Sequence, residues 1–181
     1  MKERQSSSGD LTRSFLPAQQ DIAYTLHQRD FDDIAQLTAQ ICGTSNSLIT
    51  LLDNNMPSTK SVYGTAAEKI KKDFSLPILS LQQSGVLVIP DTLASDLLKN
   101  NQSVIAAPFI RFYAGLAVLS ESGEPLAIIS VLDLAPAALS EEQVFGIGMM
   151  AKQLQLLLSA KENYNNNKTE TTTVFDEKFR I

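Results

Sequence analysis

Two periods of apolar and polar positions run along this chain, and each marks out elements. Phe31, Ile34, Leu37 and Ile41 recur at spacings of three and four, a helical rhythm, and Gly43 stands where such a helix stops. Asp30 supplies an N-cap, and Asp32 and Asp33 place negative charge at the positive end of the dipole, so a helix over 30–42 is predicted. Ahead of it, Pro17 suits a first helical turn and Ile22 and Leu26 share a face, which predicts a separate helix over 17–29. Residues 47–53 (SLITLLD) are β-branched and leucine-rich and read as a buried strand; 59–63 read as a second one after a turn. Residues 64–72, with three lysines, read as a surface excursion. A short helix is expected over 76–83, capped by Asp73 or Ser75 and ended by Gly85. Residues 86–89 form an apolar strand stopped by Pro90-Asp91, followed by a helical turn over 93–99 and a loop over 100–102. The strongest strands are 110–119 and 126–132, joined by a hairpin over 121–124. The last helix opens on Ser140-Glu141-Glu142-Gln143, a capping box, and is expected to reach about residue 163. Within it Val144, Ile147, Ala151, Leu154 and Leu158 follow the 3-4-3-4 spacing of a coiled-coil seam.

Hairpin-joined strands flanked by helices at both ends indicate an α+β fold, a sheet with helices packed on one face. At 181 residues the chain is the size of one domain with tails. The expected division is a flexible arm over 1–16, one domain over 17–163 and a polar tail over 164–181. No apolar run reaches the roughly 18 residues of a membrane span, and the first residues lack an apolar signal core, so a cytoplasmic protein is expected, with no membrane contact.

Charge and side-chain inventory narrow the chemistry. The net charge is −5, and residues 21–160 carry eight Lys/Arg against fourteen acids. With no basic run and no tryptophan, such a chain lacks the cations that phosphate contacts require, so no nucleic-acid partner is expected. The single cysteine, Cys42, and single histidine, His27, exclude a disulfide framework, a multi-cysteine metal site and a His cluster. Neither common glycine-rich nucleotide loop occurs. No catalytic residue, cofactor or metal is assigned, and a non-enzyme is expected.

Arg111 is the sharpest polar signal, because it is the one Lys or Arg between Lys99 and Lys152 and it sits in an apolar stretch. Strand alternation places Phe109, Arg111, Tyr113, Gly115 and Ala117 on one face, with Ile110, Phe112, Ala114, Leu116 and Val118 on the other. The second set reads as core beneath the terminal helices; the first combines a cation, a phenol and a glycine that could line a pocket. Two readings stand for Arg111: an ion pair with Asp91 or Asp133 that fixes strand ends, or bidentate contact with a carboxylate or phosphate ligand. Tyr113 is either a pocket wall or a core-edge residue, Asp91 a turn cap or a ligand contact, and Ser130 a core hydroxyl or a ligand group.

The run Phe109-Ile110-Arg111-Phe112-Tyr113-Ala114-Gly115 is similar to the "IRFYAG" strand of bacterial GAF domains. Leu132-Asp133, then Leu139-Ser140-x-x-Gln143 before a long helix, resembles that family's closing pattern, and Phe31-Asp32, Phe74-Ser75 and the strand into Asp91 also fit. The resemblance spans roughly residues 20–160. It implies a GAF-like, PAS-related antiparallel sheet of about six strands, with the N- and C-terminal helices on one face and loops and short helices forming a pocket on the other. It further implies a sensory module of bacterial signal transduction. Ser75 and Pro77 stand where many relatives have Cys and His, and Ser130 where they often have Cys. With one cysteine, neither bilin attachment at a Cys–His pair nor methionine-sulfoxide reduction in its usual form is implied.

Two functional expectations follow. One is a cytoplasmic, non-catalytic sensory module that binds a small anionic ligand through Arg111, Tyr113, Asp91 and Ser130 and forms a homodimer through Val144, Ile147, Ala151, Leu154 and Leu158. The other is a ligand-free protein-interaction or dimerisation domain with a degenerate pocket. Either is expected to signal through a separate protein as output, or as a piece of a longer chain.

Overall fold

A computed structural model describes residues 19–53 and 56–178, with side-chain surroundings for residues 28–53 and 56–160. The expected arm over 1–16 and the start at Pro17 lie outside the described residues. So do the side chains of His27 and of the expected tail.

The first element is one helix, α1 (Gln19–Cys42), and not two. No glycine or proline interrupts those residues, so Asp30 sits inside the helix rather than capping it. Gly43, at φ 67, ends it as expected. Strands β1 (Asn46–Asp53) and β2 (Met56–Tyr63) then form a hairpin. The lysine-bearing stretch after it is a short helix, α2 (Thr65–Ile70), that buries Ala66, Ala67 and Ile70. Its lysines point out while its small apolar side seals the sheet, and the Asn46 side-chain oxygen accepts from the Ala66 and Ala67 N–H groups at 2.9 and 3.2 Å. The helix expected over 76–83 is shorter, α3 (Ser75–Leu79). After β3 (Leu87–Ile89), the expected loop at 100–102 holds the start of α4 (Gln102–Ile105), capped by the Asn101 side chain accepting from Ser103 N–H at 2.9 Å.

The two strong strands are β4 (Phe112–Leu119) and β5 (Pro125–Asp133), and the last helix is α5 (Glu141–Lys178). Its capping box forms as expected: Ser140 N–H donates to Gln143 Oε1 at 2.9 Å and Gln143 N–H to Ser140 Oγ at 3.2 Å. The helix passes residue 163 because its polar stretch contains neither glycine nor proline; polarity alone does not stop a helix. Among the described residues no helix is long and apolar enough to cross a membrane.

Among the described residues the sheet has five strands where about six were expected, in the order β2-β1-β5-β4-β3, every neighbouring pair antiparallel. Two cores form on its two faces. Under α1 and α5 lie Phe31, Ala35, Ile49, Phe112, Ala114, Val118, Ile129, Val131, Ile147 and Leu154. On the opposite face, under α2, α3, α4 and their connections, lie Leu48, Ala67, Leu76, Leu98, Val104, Ile110, Tyr113 and Leu132.

Ile110 is a correction, because it packs with Tyr113 and not beneath the terminal helices. The alternation begins only with the strand itself. Phe109 has a left-handed backbone (φ 62), and the Ile110 N–H donates to Ser103 O at 2.8 Å, so this residue is held by α4 and not by a ladder. Most of the residues of the expected dimer seam serve the chain's own core. Ile147, Ala151 and Leu154 are buried in the chain's own core, with Leu158 packed against it, because this side of α5 is the one that covers the sheet.

Candidate functional site

Sheet register brings Arg111 to Asp91. Strands β3 and β4 pair Leu87 with Gly115, Val88 with Ala114 and Ile89 with Tyr113. Continued two residues past Ile89, the same register sets Asp91 opposite Arg111, and the Thr92 N–H closes the frame by donating to Arg111 O at 2.9 Å. The guanidinium then donates twice, Nε to Asp91 Oδ1 at 3.1 Å and Nη2 to Oδ2 at 2.8 Å, a bidentate fork. Asp133, the other expected partner, instead accepts from the Ser45 and Leu134 N–H groups, while its carbonyl takes the Arg111 N–H. The ion pair with Asp91, one of the partners expected for Arg111, is thus present.

The Arg111 hydrogen bonds hold the Asp91 carboxyl below the usual carboxylate range, and Asp91 in turn raises the guanidinium. A depressed folded-state value means the pair stabilises the fold above the unfolded carboxylate value, about 3.9, and loses that effect as pH falls through the folded value. An Arg111→Ala protein is therefore expected to unfold at lower urea than the wild type at neutral pH. The gap should close in acid below that range, and equal gaps at both pH values would remove the pair from the stability account.

Tyr113 and Ser130 meet separately, deep under the opposite face. Tyr113 is fully buried, and its hydroxyl lies 2.8 Å from Ser80 Oγ. Burial pushes the phenol far above its ordinary range, against the smaller opposing effect of hydrogen bonds with Ser80 and Ser130. Ser130 is also buried and donates to Leu48 O at 3.5 Å. Gly115, paired with Ser130 across the sheet, makes this possible, since a Cβ there would overlap both Ser80 Oγ and the Tyr113 hydroxyl. Leu76, Leu98, Val104 and Ile110 fill the surrounding space, each at most 2% exposed. The four expected ligand residues thus form two pairs, a half-exposed ion pair at a strand end and a buried hydroxyl cluster. Ser80 carried no signal in the sequence, because its role depends on a contact across 33 residues.

Three surface clefts lie elsewhere, and none of these is lined by the four residues. One of about 600 Å³ borders β4 and residues 81–85. Another of about 500 Å³ borders β2, with Lys60, Lys71 and Lys72 facing Asp32 and Glu68. The third, about 410 Å³, is a groove between α1 and α5 containing Leu37, Met150 and Leu156. Around that groove the helix layer exposes Leu37, Ile41, Phe145, Met149 and Leu156. Cys42 lies under the same layer, 5% exposed, and burial pushes its thiol up to about 11, which favours the protonated form at neutral pH.

No protein-family model and no curated protein matches the chain. Solved structures do. The GAF domain region of a Geobacter sulfurreducens protein superposes with a TM-score of 0.62 at 17% identity, covering 77% of this chain and 98% of that one. A domain of a Sinorhizobium meliloti protein assigned as a two-component sensor histidine kinase gives 0.64 at 11%, covering 78% and 97%. The type II free methionine-R-sulfoxide reductase of Thermoplasma acidophilum gives 0.59 at 12%, covering 74% and 92%. At these identities the likeness is one of fold: the chain has the α+β fold of GAF domains, a fold found here in a reductase and in a sensor-kinase domain alike.

Proposed function

We propose that the chain is a non-catalytic regulatory module of signal transduction that works without a small-molecule guest and associates with a second copy through its helix layer. The observation that carries this reading is the outward stripe of Leu37, Ile41, Phe145, Met149 and Leu156 across α1 and α5. Phe145, Met149 and Leu156 recur at spacings of four and seven, one line along the outside of α5, and Phe145 is 69% exposed. An apolar stripe over two adjacent helices marks an association surface rather than scattered exposure. The stripe lies beside Ile147, Ala151 and Leu154 of the sequence pattern, which pack into the chain's own core.

Support for the guest-free half comes from the opposite face, where Tyr113, Leu76 and Ile110 occupy the space a ligand would need. The buried, protonated Cys42 supports the non-catalytic half. The likeness to a domain of a two-component sensor histidine kinase supports the signalling class. The output is then a protein partner that reads the arrangement of the paired helices.

Light scattering on the eluting protein tests the association. The wild type is expected to run as a dimer at micromolar concentration, and Phe145→Glu with Met149→Glu as a folded monomer. A wild type that stays monomeric at the highest soluble concentration removes the proposal.

A further inference from the structure

The edge of β4 is open over half its length. β3 pairs only with Tyr113, Ala114 and Gly115, whereas β5 follows β4 to Leu119. The chain leaves the β3 line at Gly85 (φ 87), and residues 81–85 bend away. Leu116 to Leu119 therefore have no strand on that side, and among the described residues their backbone groups make no hydrogen bond outside the pairing with β5. Edge N–H and C=O groups left this way are a template for another strand.

The cleft of about 600 Å³ lies along this edge. It touches Leu116 as well as Ala117 and Leu119, and successive strand residues point to opposite faces. A cleft that reaches both sets lies beside the strand and not over one face. Its walls include Leu81, Leu119 and Pro125, and the space next to Gly85 and Gly123 is empty of other atoms within 4 Å. The rim is acidic. Glu121 and Glu124 are exposed in the β4–β5 turn, neither has an ion-pair partner among the described residues, and the nearest basic residue in that stretch of sequence, Arg111, is held by Asp91.

From the open ladder, the apolar walls and the unpaired carboxylates, we infer that this edge receives an extended segment of a partner protein, apolar on one side and bearing Lys or Arg on the other, added as a strand in line with β3. Main-chain hydrogen bonds to residues 116–119 give the affinity, and the Glu121–Glu124 turn selects a basic segment over an acidic one. This inference does not depend on the helix-layer dimer, which occupies the other face of the sheet.

The test uses the whole chain and a seven-residue peptide alternating lysine and valine, with amide hydrogen exchange read by NMR. The peptide is expected to slow exchange at two or more of the amides of Leu116, Ala117, Val118 and Leu119. The double change Glu121→Lys, Glu124→Lys, on an exposed turn, should weaken binding about tenfold and favour a glutamate–valine peptide instead. A peptide N-methylated at alternate residues should not bind. Three results would overturn the proposal: no protection at those amides at millimolar peptide, undiminished binding of the N-methylated peptide, or protection that appears with protein concentration alone. The last would assign the edge to a second copy of this chain.

Discussion

Tyr113→Ala is expected to destabilise the fold by about 3–5 kcal/mol in denaturant titrations. Tyr113 is the largest of the fully buried side chains and stands at the centre of the core beneath α2, α3 and α4. Its removal leaves a ring-sized void and strips Ser80 of its hydroxyl partner. The neighbours that enclose the ring, Leu76, Ile110 and Leu132, are anchored in separate elements and cannot all collapse into the gap. The void should therefore accept a phenol-sized molecule, so that phenol raises the melting temperature of Tyr113→Ala and leaves the wild type unchanged. Equal stabilisation of both proteins would mean that the native chain already contains the space.

The matching change on the other face is Phe112→Ala, expected to cost about 3–5 kcal/mol. Phe112 is fully buried in the core that also holds Phe31, Ile147 and Leu154, where β4 meets α5. Its loss loosens the seating of α5 on the sheet, and α1 packs on α5, so the variant should also weaken self-association of the helix layer, read as a larger dimer dissociation constant. A stable Phe112→Ala protein with unchanged association would show that the helices take their position from something other than this contact.

Where local pattern decides structure, the sequence was enough. The hairpin turn, the Gly43 stop, the capping box and the opposed faces of Phe112 and Tyr113 all rest on contacts within a few residues, and all are found. The departures have long-range causes. Asp30 looks like a helix start only if the chain stops before it, and nothing between Gln19 and Cys42 makes it stop. The lysines of residues 64–72 conceal a buried side of Ala66, Ala67 and Ile70 that is worth forming only against β1 and β2. Ile110 follows the strand pattern on paper, but its N–H belongs to Ser103.

The candidate site divides in the same way. The fork between Arg111 and Asp91 was among the readings open in the sequence, because an isolated cation at a strand end has few acids in reach. That Tyr113 faces away from the terminal helices was also legible. That it would be enclosed rather than open to a ligand was not, since the enclosing residues come from Leu76 to Val104, segments with no periodicity of their own. The outward stripe of Phe145, Met149 and Leu156 was masked for a related reason: α5 carries apolar residues on several sides, and only the sheet shows which are used up.

The most direct measurement is diffraction from crystals of the wild-type protein held under xenon pressure, which marks empty apolar space inside a fold. With Tyr113, Leu76 and Ile110 occupying that interior, no xenon peak is expected between the sheet and residues 65–110, while crystals of Tyr113→Ala should show one. A xenon peak beside Tyr113 in the wild type would contradict the account and return this face to the role of a binding chamber.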